Sequence, residues 1–190
     1  MEYVSLNLGN CKSGHDPDTG RLASAFFSDD DIGTLIRCHF EVERAAIHAL
    51  DVITQERWKI AKYRYLNDKI NFLEVIGAPP ALLAPARVLN KHRNALAHSG
   101  IDTITEEQEH EFTTSVRSFF PQYSSDSNVS FHGKYTFDGK LSECSQRQRY
   151  VISASVLIMG LSNVPRIMAK YWDKANHRSG SNAGADTVSS

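Results

Sequence analysis

The segment that most constrains the fold is residues 30–53. Within it, a set of mostly apolar residues, called the seam below, recurs at alternating intervals of about four and three residues. This rhythm is the period of an α-helix that buries one face. Ser28 and the acidic residues after it provide capping groups and negative charge at the helix start. Two seam positions are polar, His39 and Glu43. The full seam comprises Ile32, Ile36, His39, Glu43, Ala46, Leu50 and Ile53.

Similar periodicity predicts four more helices along the chain. Gly77 and Gly100 suit the ends of the second and third of them, and Thr105 suits the start of the fourth. Pro165 predicts a kink or a break in the last. The expected helices cover about 61–76, 80–98, 105–119 and 146–172. We therefore predict an all-α fold, a bundle of four to five helices.

The other segments lack this periodicity. Residues 1–28 are expected to form an irregular lead-in, and 175–190 a disordered tail, on either side of a helical domain over 29–174. Between the fourth and last helices, residues 121–146 contain alternating aromatics ahead of Asp138-Gly139. That pattern predicts a small hairpin or another ordered excursion.

Composition excludes several classes of function. The net charge of −1 gives no global basic field, so any contact with nucleic acid must use a local patch. The cysteines, at positions 11, 38 and 144, lack a CxxC pair, which argues against a zinc site or a disulfide framework. No signal peptide is apparent, and the apolar stretch 151–165 is short for a membrane span. We expect a cytoplasmic protein without metal or cofactor.

The end of the predicted third helix carries a polar motif, with the sequence KHRNALAHSG over residues 91–100. Arg93 offers a planar guanidinium that can clamp a phosphate with two hydrogen bonds. His98 offers an imidazole that moves protons near neutral pH. Asn94 lies four residues before His98, on the same helical face, and is placed to orient that ring.

Arg93 is also in register with the apolar stripe of this helix, so we expect its stem to start from a buried position. An Arg there needs a partner, a wet cleft or an anionic ligand. One interpretation is an ion pair with Glu43, with His98 only capping the helix end. The other is a phosphodiester site. The apolar stripe consists of Leu82, Ala86, Leu89 and Leu96.

The motif resembles the Arg-Asn-x3-His signature of HEPN domains, the "higher eukaryotes and prokaryotes nucleotide-binding" family. The resemblance covers about residues 29–120, with 147–172 as a candidate extension, and implies an all-α homodimer in which two motifs meet in one cleft. It further implies a metal-independent endoribonuclease, often a toxin or an antiviral effector. His98 would then act as acid or base, Arg93 would stabilise the phosphorane, and Asn94 would position one of them.

One position departs from the family pattern. Members that are controlled by a nucleotidyltransferase antitoxin carry Tyr two residues after the His, where this chain has Gly100. Modification by such a partner is therefore not expected. The sequence is still compatible with control by another antitoxin or by a regulatory protein. Some relatives keep the scaffold without cleavage, so the alternative function is a non-catalytic regulatory module that binds nucleotide, nucleic acid or protein.

Further polar residues are candidates for the same site. His39 and Glu43 either contribute to the cleft or form a buried hydrogen-bonded pair. Lys91 and His92, beside the motif, are candidate RNA contacts. Lys62 and Arg64 belong to a basic–aromatic cluster that either steers single-stranded RNA or is a solvated helix face with core-facing aromatics. The cluster comprises Trp58, Lys59, Lys62, Tyr63, Arg64, Tyr65 and Lys69.

Overall fold

The computed structural model describes residues 3–6, 14–99, 102–132 and 136–170. Helices dominate this part of the chain, which confirms the predicted all-α class. Seven α-helices are described where four to five were predicted, because one forms before residue 29 and the last is broken in two. The helices are α1 (Thr19–Phe26), α2 (Asp31–Thr54), α3 (Leu66–Val75), α4 (Pro80–Ser99), α5 (Glu106–Phe119), α6 (Gln146–Ser162) and α7 (Val164–Lys170). The strands are β1 (Tyr3–Leu6), β2 (Asn128–His132) and β3 (Phe137–Lys140).

Helices α2 and α6 form the centre of the molecule and pack against each other. Helix α6 is buried on nearly all sides from Tyr150 to Ile158. The buried face of α2 is rich in alanine, so the two backbones approach closely. The predicted seam on α2 was wrong at Ile36, which is 52% exposed, because the core face runs through Leu35, Cys38 and Val42 instead. Small residues such as Ala45 and Ala49 form much of that face. The positions of the large apolar residues alone therefore do not identify it in the sequence.

The irregular lead-in predicted over 1–28 was wrong in both halves, because β1 forms in the first and α1 in the second. The Asp18 side chain accepts a hydrogen bond from the Arg21 backbone N–H at 2.9 Å, which caps the helix. Phe26 is buried, and its ring stacks on Phe131 with centroids 4.2 Å apart. An eight-residue helix gives too few periodic positions to be recognised in the sequence.

The excursion over 121–146 contains the predicted hairpin. Strands β2 and β3 pair antiparallel with Phe131 opposite Phe137, and β1 adds to the outer edge of β2. Asp138 and Gly139 lie inside β3 and do not form the turn. Buried Val129 and Phe131 attach this small sheet to the helical core.

Helix α3 starts later than the sequence predicted, and the last helix is broken near Pro165. Helix α3 begins at Leu66 and not near 61, because Arg57–Ala61 forms a 3-10 turn and Lys62 adopts a left-handed φ of 53°. The last helix is broken, as predicted, into α6 and α7, which meet at an angle of 42°. No single helix within the described ranges is long and apolar enough to cross a membrane; the bent α6–α7 pair passes that test by length and composition only. The predicted tail over 175–190 lies outside the described residues.

Candidate active site

A cleft with a volume of about 780 Å³ opens between α2, α4 and the beginning of α3. The motif of α4 and the two polar positions of α2 all border this one cleft. Residues that precede and begin α3 form the opposite rim. The lining residues are His39, Glu43, Arg64, Tyr65, Leu66, Asn67, Asp68, Asn90, Arg93, Asn94 and His98.

Helix α4 presents its motif outward. Arg93, Asn94 and His98 are exposed, so the expectation that Arg93 starts from the buried stripe was wrong. The inward position is taken by the preceding residue, His92, which is 1% exposed. One residue corresponds to about 100° around a helix, so a small error in the assumed rotation exchanges a core position for a cleft position.

Within the motif, the guanidinium is held by its neighbour. Arg93 Nη1 donates a hydrogen bond to Asn94 Oδ1 at 3.2 Å. The amide therefore orients the arginine, whereas the sequence had suggested that it orients His98. Arg93 lines the open cleft, and a guanidinium can donate two hydrogen bonds to one phosphate.

Glu43 does not pair with Arg93, contrary to one of the two interpretations from the sequence. Its Oε1 accepts a hydrogen bond at 2.7 Å from Lys69 Nζ, which is buried and also donates to the Arg64 carbonyl at 3.1 Å. No carboxylate within the described ranges forms an ion pair with Arg93. The charge of Glu43 is thus balanced by Lys69, and the positive charge of Arg93 is left for a ligand.

His39 lies half-buried on the α2 side of the cleft. Its Nε2 is 3.2 Å from Asn90 Oδ1, so the predicted His39–Glu43 hydrogen bond is replaced by one to α4. Burial lowers the pKa of His39, while the Asn90 hydrogen bond and the Glu43 charge act in the opposite direction. The ring is therefore neutral at pH 7. Sequence reasoning missed Asn90, although it lies one helical turn before Asn94 on the motif face.

The predicted RNA contacts separate into two groups. Arg64 lines the cleft, and Lys62 is exposed close by in the same loop. His92 cannot contact RNA, because its buried ring lies between Tyr150 Oη and Glu111 Oε2, each at 3.0 Å. Lys91 also faces α5, where Glu111 accepts from its Nζ at 2.8 Å. The RNA roles of Lys62 and Arg64 stay predictions.

No group of three or more His, Cys, Asp or Glu side chains suited to a metal ion occurs in the described part of the chain. In comparisons with known proteins, no family model, no curated protein and no solved structure matches this chain. The chemistry of the cleft is therefore inferred from its own side chains. They combine two guanidiniums, an exposed imidazole, a neutral imidazole and three amides along one open groove.

Proposed function

We propose that this protein is a metal-independent endoribonuclease of the HEPN type. The observation that carries the proposal is the position of Arg93, Asn94 and His98 on one exposed face of α4, bordering a cleft that also holds His39. A phosphate-binding group, its positioning amide and a proton-transfer group thereby border one cleft, and cleavage of a phosphodiester needs these groups.

The reaction would use the ribose of the substrate as nucleophile. The 2′-oxygen attacks the neighbouring phosphorus, the O2′–P bond forms and the P–O5′ bond breaks. A neutral imidazole takes the 2′ proton and a protonated imidazole gives one to the leaving 5′-oxygen. Arg93 stabilises the added charge on the phosphorane oxygens, and Asn94 holds that guanidinium in place. The products end in a 2′,3′-cyclic phosphate and a 5′-hydroxyl.

His98 is the proton-transfer residue in this proposal, because its ring is exposed at the cleft. By the family resemblance, a homodimer places two such motifs together, so that the acid and the base are the His98 residues of two copies. The same resemblance implies a toxin or antiviral effector, which we propose to be controlled by an antitoxin or another regulatory protein and, from the sequence, to be cytoplasmic.

The test is cleavage of a mixed-sequence RNA in excess chelator. We expect wild type to cut and to leave cyclic phosphate ends, and His98→Ala to leave the RNA intact. His110→Ala is the matched control, because His110 is an exposed histidine on α5 outside the cleft. Equal cutting by His98→Ala would refute the proposal. If neither wild type nor variant cuts, the non-catalytic module becomes the better explanation.

A further inference from the structure

Tyr65 is an aromatic residue that the fold does not use for its core. The other aromatic residues of the basic–aromatic cluster pack within the fold. Trp58 is buried, and its Nε1 donates a hydrogen bond to Asp51 Oδ1 at 2.7 Å. The Tyr63 ring packs on Phe72 with centroids 5.3 Å apart. Tyr65, in contrast, is 71% exposed and lines the cleft opposite the α4 motif.

The backbone beneath this ring is fixed. The buried Lys69 ammonium donates to the Arg64 carbonyl at 3.1 Å, and the Tyr65 N–H donates to Asp68 Oδ2 at 3.4 Å. Lys69 is itself held by Glu43 on α2. The rim is therefore tied to two helices, and an aromatic ring on a fixed base loses little conformational freedom when it binds a ligand.

Two arginines bring positive charge to the cleft around Tyr65, which the carboxylates of Glu43 and Asp68 also line. Lys59 is engaged by Asp51 and Glu56, each at 3.2 Å. Arg64 lines the cleft and forms no ion pair with any residue that the structure describes. Arg64 and Arg93 thus provide positive charge on the two sides of the cleft. An exposed aromatic face between cationic side chains is the combination that binds single-stranded nucleic acid.

We propose that Tyr65 is a stacking platform for one unpaired nucleobase, with Arg64 contacting an adjacent phosphate, so that the cleft takes single-stranded RNA. The inference rests on the proposed function for the identity of the strand as RNA. In a duplex both faces of each base are covered by its neighbours, so only an unpaired, splayed base can lie on the Tyr65 ring.

Binding is measured by fluorescence anisotropy with a labelled 2′-O-methyl oligoadenylate, which lacks the 2′-hydroxyl nucleophile and is not cut. We expect Tyr65→Ala to weaken binding about 5- to 150-fold, the range for loss of one base–aromatic stack. Tyr65→Phe should bind like wild type, since the ring and not the hydroxyl makes the contact. Ile60→Ala removes an exposed apolar side chain outside the cleft and should leave binding unchanged.

Two further comparisons separate stacking from electrostatics. On a fully abasic strand, Tyr65→Ala and wild type should bind equally, because no base remains to stack. Arg64→Ala should lower the slope of log affinity against log salt by about 0.7, the value for one phosphate contact on a single strand. Lys59→Ala should leave that slope unchanged, since Lys59 is engaged by acids outside the cleft.

The stacking subsite is refuted if wild type binds no strand, if Tyr65→Ala binds the oligoadenylate within about twofold of wild type, or if duplex binds as tightly as single strand. Cleavage of unmodified RNA is scored separately. Tyr65-dependent binding without cleavage would support the subsite and refute the ribonuclease. Cleavage whose kcat/KM is unaffected by Tyr65→Ala would support the ribonuclease and refute the subsite.

Discussion

His39 and Asn90 form a hydrogen bond between α2 and α4, with 3.2 Å between the His39 Nε2 and Asn90 Oδ1 atoms. Because an amide oxygen only accepts, the ring carries its proton on Nε2 and leaves Nδ1 as the acceptor. Burial lowers the pKa of His39, and the hydrogen bond to Asn90 partly offsets this effect. The amide therefore determines the tautomer and raises the basicity of a ring at the cleft wall, against the larger effect of burial.

Replacing this amide should change the titration of His39 in a defined direction. Asn90→Asp keeps the shape and puts a carboxylate beside the ring, which favours the imidazolium, so the pKa of His39 should rise. Asn90→Ala removes the hydrogen bond and should lower it further. NMR titration of the ring protons measures both changes. The internal reference is His92, on the opposite side of α4. An unchanged His39 titration in Asn90→Asp would contradict the assigned contact.

Arg93 should matter for RNA cleavage and not for folding. Its side chain is exposed, and among the described residues it forms a hydrogen bond only with the adjacent Asn94, so Arg93→Ala should change the free energy of unfolding by less than about 0.5 kcal/mol. Arg93→Lys keeps the charge but not the two-pronged geometry, and we expect about a 100-fold loss of kcat/KM.

Arg166→Ala is the control for Arg93, because it removes an exposed arginine from α7, outside the cleft. It should leave both cleavage and the denaturation midpoint unchanged. Full activity of Arg93→Lys would show that a point charge suffices and would exclude the bidentate role. A large drop in stability for Arg93→Ala would place this side chain in the fold.

The sequence predicted the long helices because their signals are local. Helix α4 was expected over about 80–98 and spans Pro80–Ser99, and Thr105 caps α5 with a hydrogen bond to its side chain from the Gln108 N–H. The helical period and the capping residues are both found within a few residues of each helix boundary. The grouping of polar residues at the end of α4 was visible for the same reason.

The sequence could not predict contacts that depend on how helices dock. The rotation of α4 decides that His92 is buried and Arg93 exposed, and in this rotation His92 contacts Tyr150 of α6. Lys69, which both interpretations of the basic–aromatic cluster left on the surface, is buried against Glu43 because α3 packs on α2. Each contact joins residues far apart in the chain, and no periodic pattern within one element contains that information.

The Lys69–Glu43 pair should stabilise the junction of α2 and α3. Lys69 is 4% exposed, so Lys69→Met leaves Glu43 and the Arg64 carbonyl without their donor. Because Glu43 keeps access to solvent, we expect a loss of about 1–3 kcal/mol, less than for a fully buried pair. Chemical denaturation measures it, and the double variant with Glu43→Gln should recover part of the loss.

The matched control is Lys59→Met, which removes a lysine that pairs with Asp51 and Glu56 on the surface. Exposed pairs contribute little, and its denaturation midpoint should stay at the wild-type value. If Lys69→Met also left the denaturation midpoint unchanged, the buried pair would not stabilise the rim of the cleft.

The buried His92 should make the protein less stable as the pH falls below neutrality. Burial lowers its pKa from the ordinary 6.5, although the Glu111 hydrogen bond acts in the opposite direction. Between the lowered pKa and 6.5, the unfolded chain binds more protons than the folded one. The stability present above pH 6.5 is therefore lost as the pH falls through that interval, by at most about 1.4 kcal/mol per pH unit for one histidine.

Urea denaturation from pH 7.5 to about 5.5 measures this loss, to which His39 adds in the same direction because its pKa is also lowered. The pKa of Glu111 is lowered from 4.5, mainly by its hydrogen bond with Lys91. The stability that depends on ionised Glu111 is therefore lost only at pH values below this measured range. His92→Gln removes one titrating ring, and its stability should depend less steeply on pH than that of wild type. The slope is compared and not the absolute stability, since the variant also loses the contacts to Tyr150 and Glu111. Equal slopes for the two proteins would mean that His92 does not titrate in this interval, and that its buried ring keeps its proton affinity on folding.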